Sequence, residues 1–163
     1  MAETVWDIKS IALFDGLNPA QVHNLIDIAQ KVEYKTGSVV FRYGDKSREI
    51  YILVKGLFEV LSENRINLYF LKEKEIFGEI GFVSGMDRNA TVVAREESVA
   101  LVITHNLLEN LSNTDPLIKP ILLHNMVASL GHKLTQANRR IERLTVENIK
   151  LKAQKMPPLP TLE

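Results

Sequence analysis

The residues best equipped for chemistry form one run, Phe77-Gly78-Glu79-Ile80-Gly81-Phe82, followed after a short loop containing Gly85 by Arg88-Asn89-Ala90-Thr91 and a strand. Their types point to anion capture. Gly78 lets the backbone approach a ligand closely, and a short helical turn starting there aims free N–H groups at a phosphate. Arg88 adds an always-charged fork that can hold two phosphate oxygens at once. Glu79 is the wrong sign for phosphate, and makes sense there only if it accepts a hydrogen bond from a neutral donor on the same ligand, such as a sugar hydroxyl. The group therefore predicts a sugar phosphate with a free hydroxyl. In a pocket otherwise lined by apolar residues, Arg88 is expected to lack a compensating charge until ligand arrives, so that occupancy reorganises this segment and the helix beside it.

Competing chemistries lack their residues. His23, His105, His124 and His132 all fall in helical stretches without a ligand-pair spacing, so each reads as a surface or packing histidine and no metal site is expected. Cysteine is absent, which removes disulfides, thiolate metal sites, iron–sulfur clusters and a cysteine nucleophile together. The sequence carries no nucleophile elbow, nucleotidase-type phosphate loop or long dinucleotide fingerprint, so no enzyme is predicted. The 163 residues suffice for one domain and an appendage, and 45% apolar with 25% charged residues is the mixture of a folded protein. Lys plus Arg and Asp plus Glu both number 20, so any electrostatic bias must be regional. With Glu3, Asp7 and Lys9 near the start and no run of about 18 apolar residues, neither a leader nor a membrane span is expected, and a cytoplasmic protein is the default reading.

The elements that must position this segment can be read from periodicity. Asn18 is a good helix N-cap, Pro19 suits a first turn, and Val22, Leu25, Ile26, Ala29 and Val32 recur at helical spacing. From about residue 35 to 104 the chain changes to short β-rich runs at 39–42, 49–54, 57–61, 67–71, 90–95 and 99–103. Turns fall at Tyr43-Gly44-Asp45-Lys46, at Gly56 and at Ser62-Glu63-Asn64-Arg65. The fold class predicted is α+β: an antiparallel β-barrel or jelly roll with an N-terminal helix and a long C-terminal coiled-coil helix.

Helical periodicity returns over 105–111 and then, beyond Pro116 and Pro120, as one run to about Gln154. Val127, Leu134, Ile141 and Asn148 at a, with Leu123, Leu130, Ala137, Leu144 and Leu151 at d, put nine positions in one heptad register. That pattern favours a parallel two-stranded coiled coil, with Glu147 at g facing Lys152 at e across the seam, and hence a homodimer. The alternative is that the stripe packs on the chain's own barrel, whose small face a stripe of roughly 40 Å would outrun. Residues 132–155 hold seven lysines and arginines against two glutamates, a formal +5 that reads as a solvated helix exterior or a contact for an acidic partner or nucleic acid. Met156-Pro157-Pro158-Leu159-Pro160 reads as a helix-ending, extended tail, open to docking on a proline-binding module.

Taken together, the residues resemble the cyclic-nucleotide-binding domain shared by catabolite activator protein, protein kinase A regulatory subunits and nucleotide-gated channels. The likeness runs from Ile11 to about Leu144 and rests on Leu13-Phe14 and Leu17, Gly44-Asp45, the Tyr51-Ile52-Leu53-Val54-Lys55-Gly56 strand and turn, and the phosphate cassette 77–91. It implies that Arg88 pairs with a cyclic phosphate, assisted by Gly78 and the N–H of Ile80, while Glu79 holds the ribose 2′-hydroxyl and Asn89 and Ala90 complete the phosphate end. It also implies that Val60 and Leu68 line the barrel around sugar and purine, and that Ala137 and Asn138 meet the base. Asn89 departs from the alanine, serine or threonine of many relatives, at a position tied to the choice between cyclic AMP and cyclic GMP. The expected organisation is a nucleotide-binding barrel with its N-terminal helix over 1–115, a dimerisation helix over 116–155 and a tail over 156–163, with no DNA-binding domain. The expected function is a stand-alone receptor for cyclic AMP or cyclic GMP that signals to a downstream protein through its paired C-terminal helices. The alternatives are a dimerisation scaffold with an unused pocket, or the regulatory fragment of a larger transcription factor or effector.

Overall fold

In a computed structural model of the chain, residues 10–46 and 48–154 are described. The tail expected over 156–163 lies outside them. A 3-10 turn at Ala12–Phe14 leads into helix α1 (Pro19–Ile28). Asn18 closes a capping box there: its side chain accepts from the Gln21 N–H at 3.0 Å, and Gln21 Oε1 accepts from the Asn18 N–H at 2.9 Å. The expected helix start is therefore observed, but its end is earlier than the apolar spacing suggested. Ala29 caps α1, and Gln30–Tyr34 form strand β1, in which Val32 sits opposite Ala100. Val32 continues the helical spacing of α1, but with Tyr34 it also gives the period-two alternation of a strand, and pairing with residues 98–102 decides for the strand.

Seven further strands follow: β2 (Val39–Phe41), β3 (Glu49–Lys55), β4 (Phe58–Leu61), β5 (Asn67–Leu71), β6 (Ile76–Phe77), β7 (Thr91–Ala94) and β8 (Ser98–Thr104), with helix α2 (Glu79–Ser84) between β6 and β7. They make two antiparallel four-stranded sheets, ordered β1-β8-β3-β6 and β2-β7-β4-β5. This is the jelly-roll arrangement that the strand spacing predicted. The central strands of the first sheet, β3 and β8, are buried on both faces, whereas β1 at its edge is largely exposed. Ile50, Ile52, Leu101 and Ile103 point to a core shared with Leu13, Phe14, Leu25, Phe82 and Leu108, while Tyr51, Leu53, Ala100 and Val102 point to a second core with Phe58, Val60, Leu71 and Val92 of the other sheet. Residues 50–54 of β3 thus read as an unbroken apolar run because neither face of that stretch meets water. Each fully buried leucine, isoleucine or phenylalanine contributes about 1.5–3 kcal/mol relative to exposure.

Gly56 makes the β3–β4 turn with φ +103°, and a β-carbon there would stand 2.2 Å from Ser98 Oγ, so the turn admits no side chain. Helices α3 (His105–Thr114) and α4 (Ile118–Gln154) follow β8. Pro120 falls in the first turn of α4, where a missing N–H breaks no helical bond. The described residues divide into two units at Ser129–Leu130. In the first, Ile118, Leu122 and Met126 are buried in the core behind the first sheet, and Asn125 Nδ2 donates to the carbonyls of Leu13 and Asp15, both at 2.8 Å. Leu123, the first d position of the expected register, packs partly buried against the same core, so the exposed stripe begins at Val127. In the second unit Leu134, Ile141, Leu144, Ile149 and Leu151 are all more than half exposed. No described helix is long and apolar enough to cross a membrane.

Candidate functional site

Strand β6 ends at Phe77 and the backbone enters the left-handed region at Gly78, φ +81°, before α2 begins. A β-carbon on Gly78 would meet Arg88 Nη1 at 2.7 Å and the Glu49 carbonyl at 2.9 Å, so the glycine is required both by its dihedral and by the guanidinium packed on it. Glu79 opens α2 and is 3% exposed. Gly85, again left-handed, ends the helix through a 3.0 Å bond from its N–H to the Gly81 carbonyl. The chain then returns past Arg88 into β7, laced to the β2–β3 turn: the Gly44 N–H donates to the Arg88 carbonyl at 2.8 Å, the Arg88 N–H to the Asp45 carbonyl at 2.9 Å, and the Tyr43 N–H to Thr91 Oγ1 at 3.0 Å. An open cavity of about 580 Å³ lies between Tyr43-Gly44 and residues 85–89.

Arg88 is only 3% exposed. Its Nη1 donates to the Gly78 carbonyl at 2.8 Å, and its Nη2 donates to the Glu49 carbonyl at 2.8 Å and to Glu49 Oε2 at 3.1 Å. The guanidinium carbon stands 4.3 Å from the Phe41 ring centroid and 5.6 Å from that of Tyr51, which in turn stacks on Phe77 at 4.9 Å. The aromatic faces add cation–π attraction where water is scarce. Nε is buried without a hydrogen-bond partner, a condition that costs about 1–3 kcal/mol for an ordinary polar group and more for a charged one. The expectation that Arg88 has no compensating charge is corrected here: Glu49, at the head of β3, supplies one. Its side chain is 32% exposed, so it keeps its charge in partial contact with water while reaching the buried cation.

The surrounding phenols feel these charges. Burial pushes the Tyr51 hydroxyl up, the negative charge of Glu49 adds to the rise, and Arg88 pulls the other way. Tyr69 is pushed up to about 12, first by burial and then by Glu79 and Glu75, which places it within the field of the Glu79 carboxylate.

Of the residues singled out in the sequence, Gly78, Glu79, Ile80, Arg88, Asn89 and Ala90 lie in one cassette between β6 and β7. Glu79, Arg88 and Ala90 are buried, Ile80 is half-buried and Asn89 is exposed at the cavity. Val60 is buried between the sheets in β4, opposite Tyr69 of β5, and Leu68 is 39% exposed beside the irregularity where that pairing shifts. Ala137 and Asn138 belong to the second unit, on α4, and both are exposed. The four histidines lie in α1, α3 and α4, as expected, and the described residues contain no group of three or more His, Cys, Asp or Glu able to hold a metal ion. Sequence reasoning missed Glu49 and Phe41 as neighbours of the cassette. A charged residue directly before the apolar run 50–54 was the available signal for Glu49.

A family profile described as cyclic nucleotide-binding domain matches residues 31–115, and the chain belongs to that family. It is 28% identical over 148 residues to a cyclic AMP receptor protein of Thermus thermophilus, covering 86% of this chain and 65% of that protein. It is 30% identical over 88 residues to a cAMP-dependent protein kinase regulatory subunit of Schizosaccharomyces pombe, covering 54% of this chain and 21% of the relative. The chain therefore spans about two thirds of the first and about a fifth of the second. Among solved structures, the catabolite activator protein of Thermus thermophilus superposes with a TM-score of 0.71 at 25% identity, over 93% of this chain and 76% of that one.

Proposed function

We propose that this chain is a receptor module for a cyclic purine nucleotide, cyclic AMP or cyclic GMP, which it binds without chemical change. One observation carries the reading: a buried arginine, held over aromatic rings beside an obligatory left-handed glycine, keeps an unpartnered Nε in a family defined by cyclic-nucleotide binding. The negative cyclic phosphate supplies the acceptor that Nε lacks, and the fork geometry suits two phosphate oxygens. Glu79 accepts the ribose 2′-hydroxyl, which a carboxylate can do without repelling a neutral donor. Ile80, Asn89 and Ala90 complete the phosphate end, and Val60 and Leu68 flank the sugar and base. Occupancy is signalled through a homodimer of the C-terminal helix to a protein partner, and the exposed apolar stripe of α4 supports that pairing.

Isothermal titration with cyclic AMP, cyclic GMP and a linear 5′-monophosphate tests the reading. The expected result is saturable binding of one cyclic nucleotide, weakened at least about a hundredfold in Arg88→Leu, equivalent to about 2.7 kcal/mol. Absence of binding by all three nucleotides, or equal binding by the variant, overturns it.

A further inference from the structure

Arg88 makes three hydrogen bonds, and their acceptors differ in one respect that matters for binding. Two are backbone carbonyls, of Gly78 and Glu49, fixed by the β6–α2 junction and by the β3–β8 ladder, where Glu49 pairs with Thr104. The third is the Glu49 carboxylate at 3.1 Å, carried on a side chain 32% exposed. It is the one acceptor on Arg88 that can leave, because it can rotate into water and recover its solvation. Nε and Nη2 lie on one edge of the guanidinium, the edge that grips an oxyanion side-on, and Glu49 occupies Nη2 while Nε is unpartnered.

We propose that Glu49 is a built-in competitor for the ligand's phosphate: its carboxylate neutralises buried Arg88 in the free protein and must yield that position when an oxyanion binds. The inference rests on the cyclic-nucleotide reading and concerns what sets the affinity of that site. Formal charge supports it. The formal charges of Arg88, Glu49 and Glu79 sum to −1, and removing that of Glu49 brings these three groups to neutral, which favours an arriving phosphodiester anion. The influence of Glu49 on the Tyr51 hydroxyl shows that its field reaches the aromatic floor beneath Arg88.

The competitor role predicts effects of opposite sign in one variant. Glu49→Gln should bind the cyclic nucleotide about tenfold more tightly, equivalent to about 1.4 kcal/mol, yet melt at a lower temperature without ligand because Arg88 loses its counter-charge. Glu49→Ala, which removes the competing group altogether, is the second variant and should shift both readouts in the same directions. Titration calorimetry and thermal melting of the wild type and both variants give the answer. Tighter binding with a lower ligand-free melting temperature supports the proposal, as does binding by a variant when the wild type shows none. If the wild type binds and both variants bind equally or more weakly, Glu49 merely positions Arg88; the competitor role is overturned and the receptor reading stands. Binding by none of the three proteins overturns both.

Discussion

Arg88 and Gly78 form a unit, since each explains the conformation of the other. The guanidinium lies where a side chain on Gly78 would be, and the Gly78 carbonyl accepts its Nη1 at 2.8 Å. Gly78→Ala therefore carries two penalties. The left-handed backbone costs about 1–2 kcal/mol for a residue with a β-carbon. The new methyl also displaces Arg88 Nη1, which stands 2.7 Å from its position, or the Glu49 carbonyl at 2.9 Å. The expected outcome is a lower melting temperature together with a cyclic-nucleotide affinity reduced about tenfold or more. Thermal melting and calorimetry check both, and an alanine variant with wild-type affinity would show that the guanidinium does not depend on this contact.

At the scale of elements, the second sheet carries its own electrostatic support away from the cassette, on β4 between β7 and β5. Glu59 is 7% exposed in β4, accepting from Asn67 Nδ2 at 2.6 Å and from Arg95 Nε at 2.6 Å. The Asn67 bond first, and Arg95 with it, hold its carboxyl below the ordinary carboxylate range against the opposing effect of burial. Because the folded value lies below the unfolded one, about 4.3, the stabilisation is complete above that pH and is lost as pH falls toward and through the folded value. Glu59→Gln should accordingly lower the melting temperature at pH 7 and narrow its gap from the wild type in acid. A gap that does not change between pH 7 and pH 3 would remove Glu59 from the acid response. Much of this architecture was legible in local pattern: Asn18 and Pro19 announce α1, and the β-rich run at 67–71 gives β5. The two-residue strand β6 has too few positions to show a period, and Val32 of β1 also falls on the helical spacing of α1. The cassette was legible because its residues are neighbours in sequence. Glu49 was not, because it reaches Arg88 only through the pairing of β3 with β6 and β8, a long-range fact that no local window contains.

At the scale of the whole molecule, the open matter is what covers the apolar stripe of α4. Leu134, Ile141, Leu144 and Leu151 are 63%, 62%, 51% and 59% exposed, and they recur at the 3,4 spacing of a two-stranded seam with Asn148 at an a position. Four large apolar side chains in one line are more than scattered surface hydrophobics require. If a second copy covers them, sedimentation at micromolar concentration should give about twice the 18.5 kDa chain mass. Leu144→Asp then places one carboxylate from each chain in the seam, facing its twin across a two-fold axis. Burying a pair of like charges should raise the dimer dissociation constant by on the order of a hundredfold, about 2.7 kcal/mol. The variant should approach 18.5 kDa while keeping its cyclic-nucleotide site folded, as thermal melting with and without nucleotide would report. A wild type that sediments as a monomer removes the seam and leaves the receptor without its paired output; a variant that still dimerises assigns the interface to some other surface.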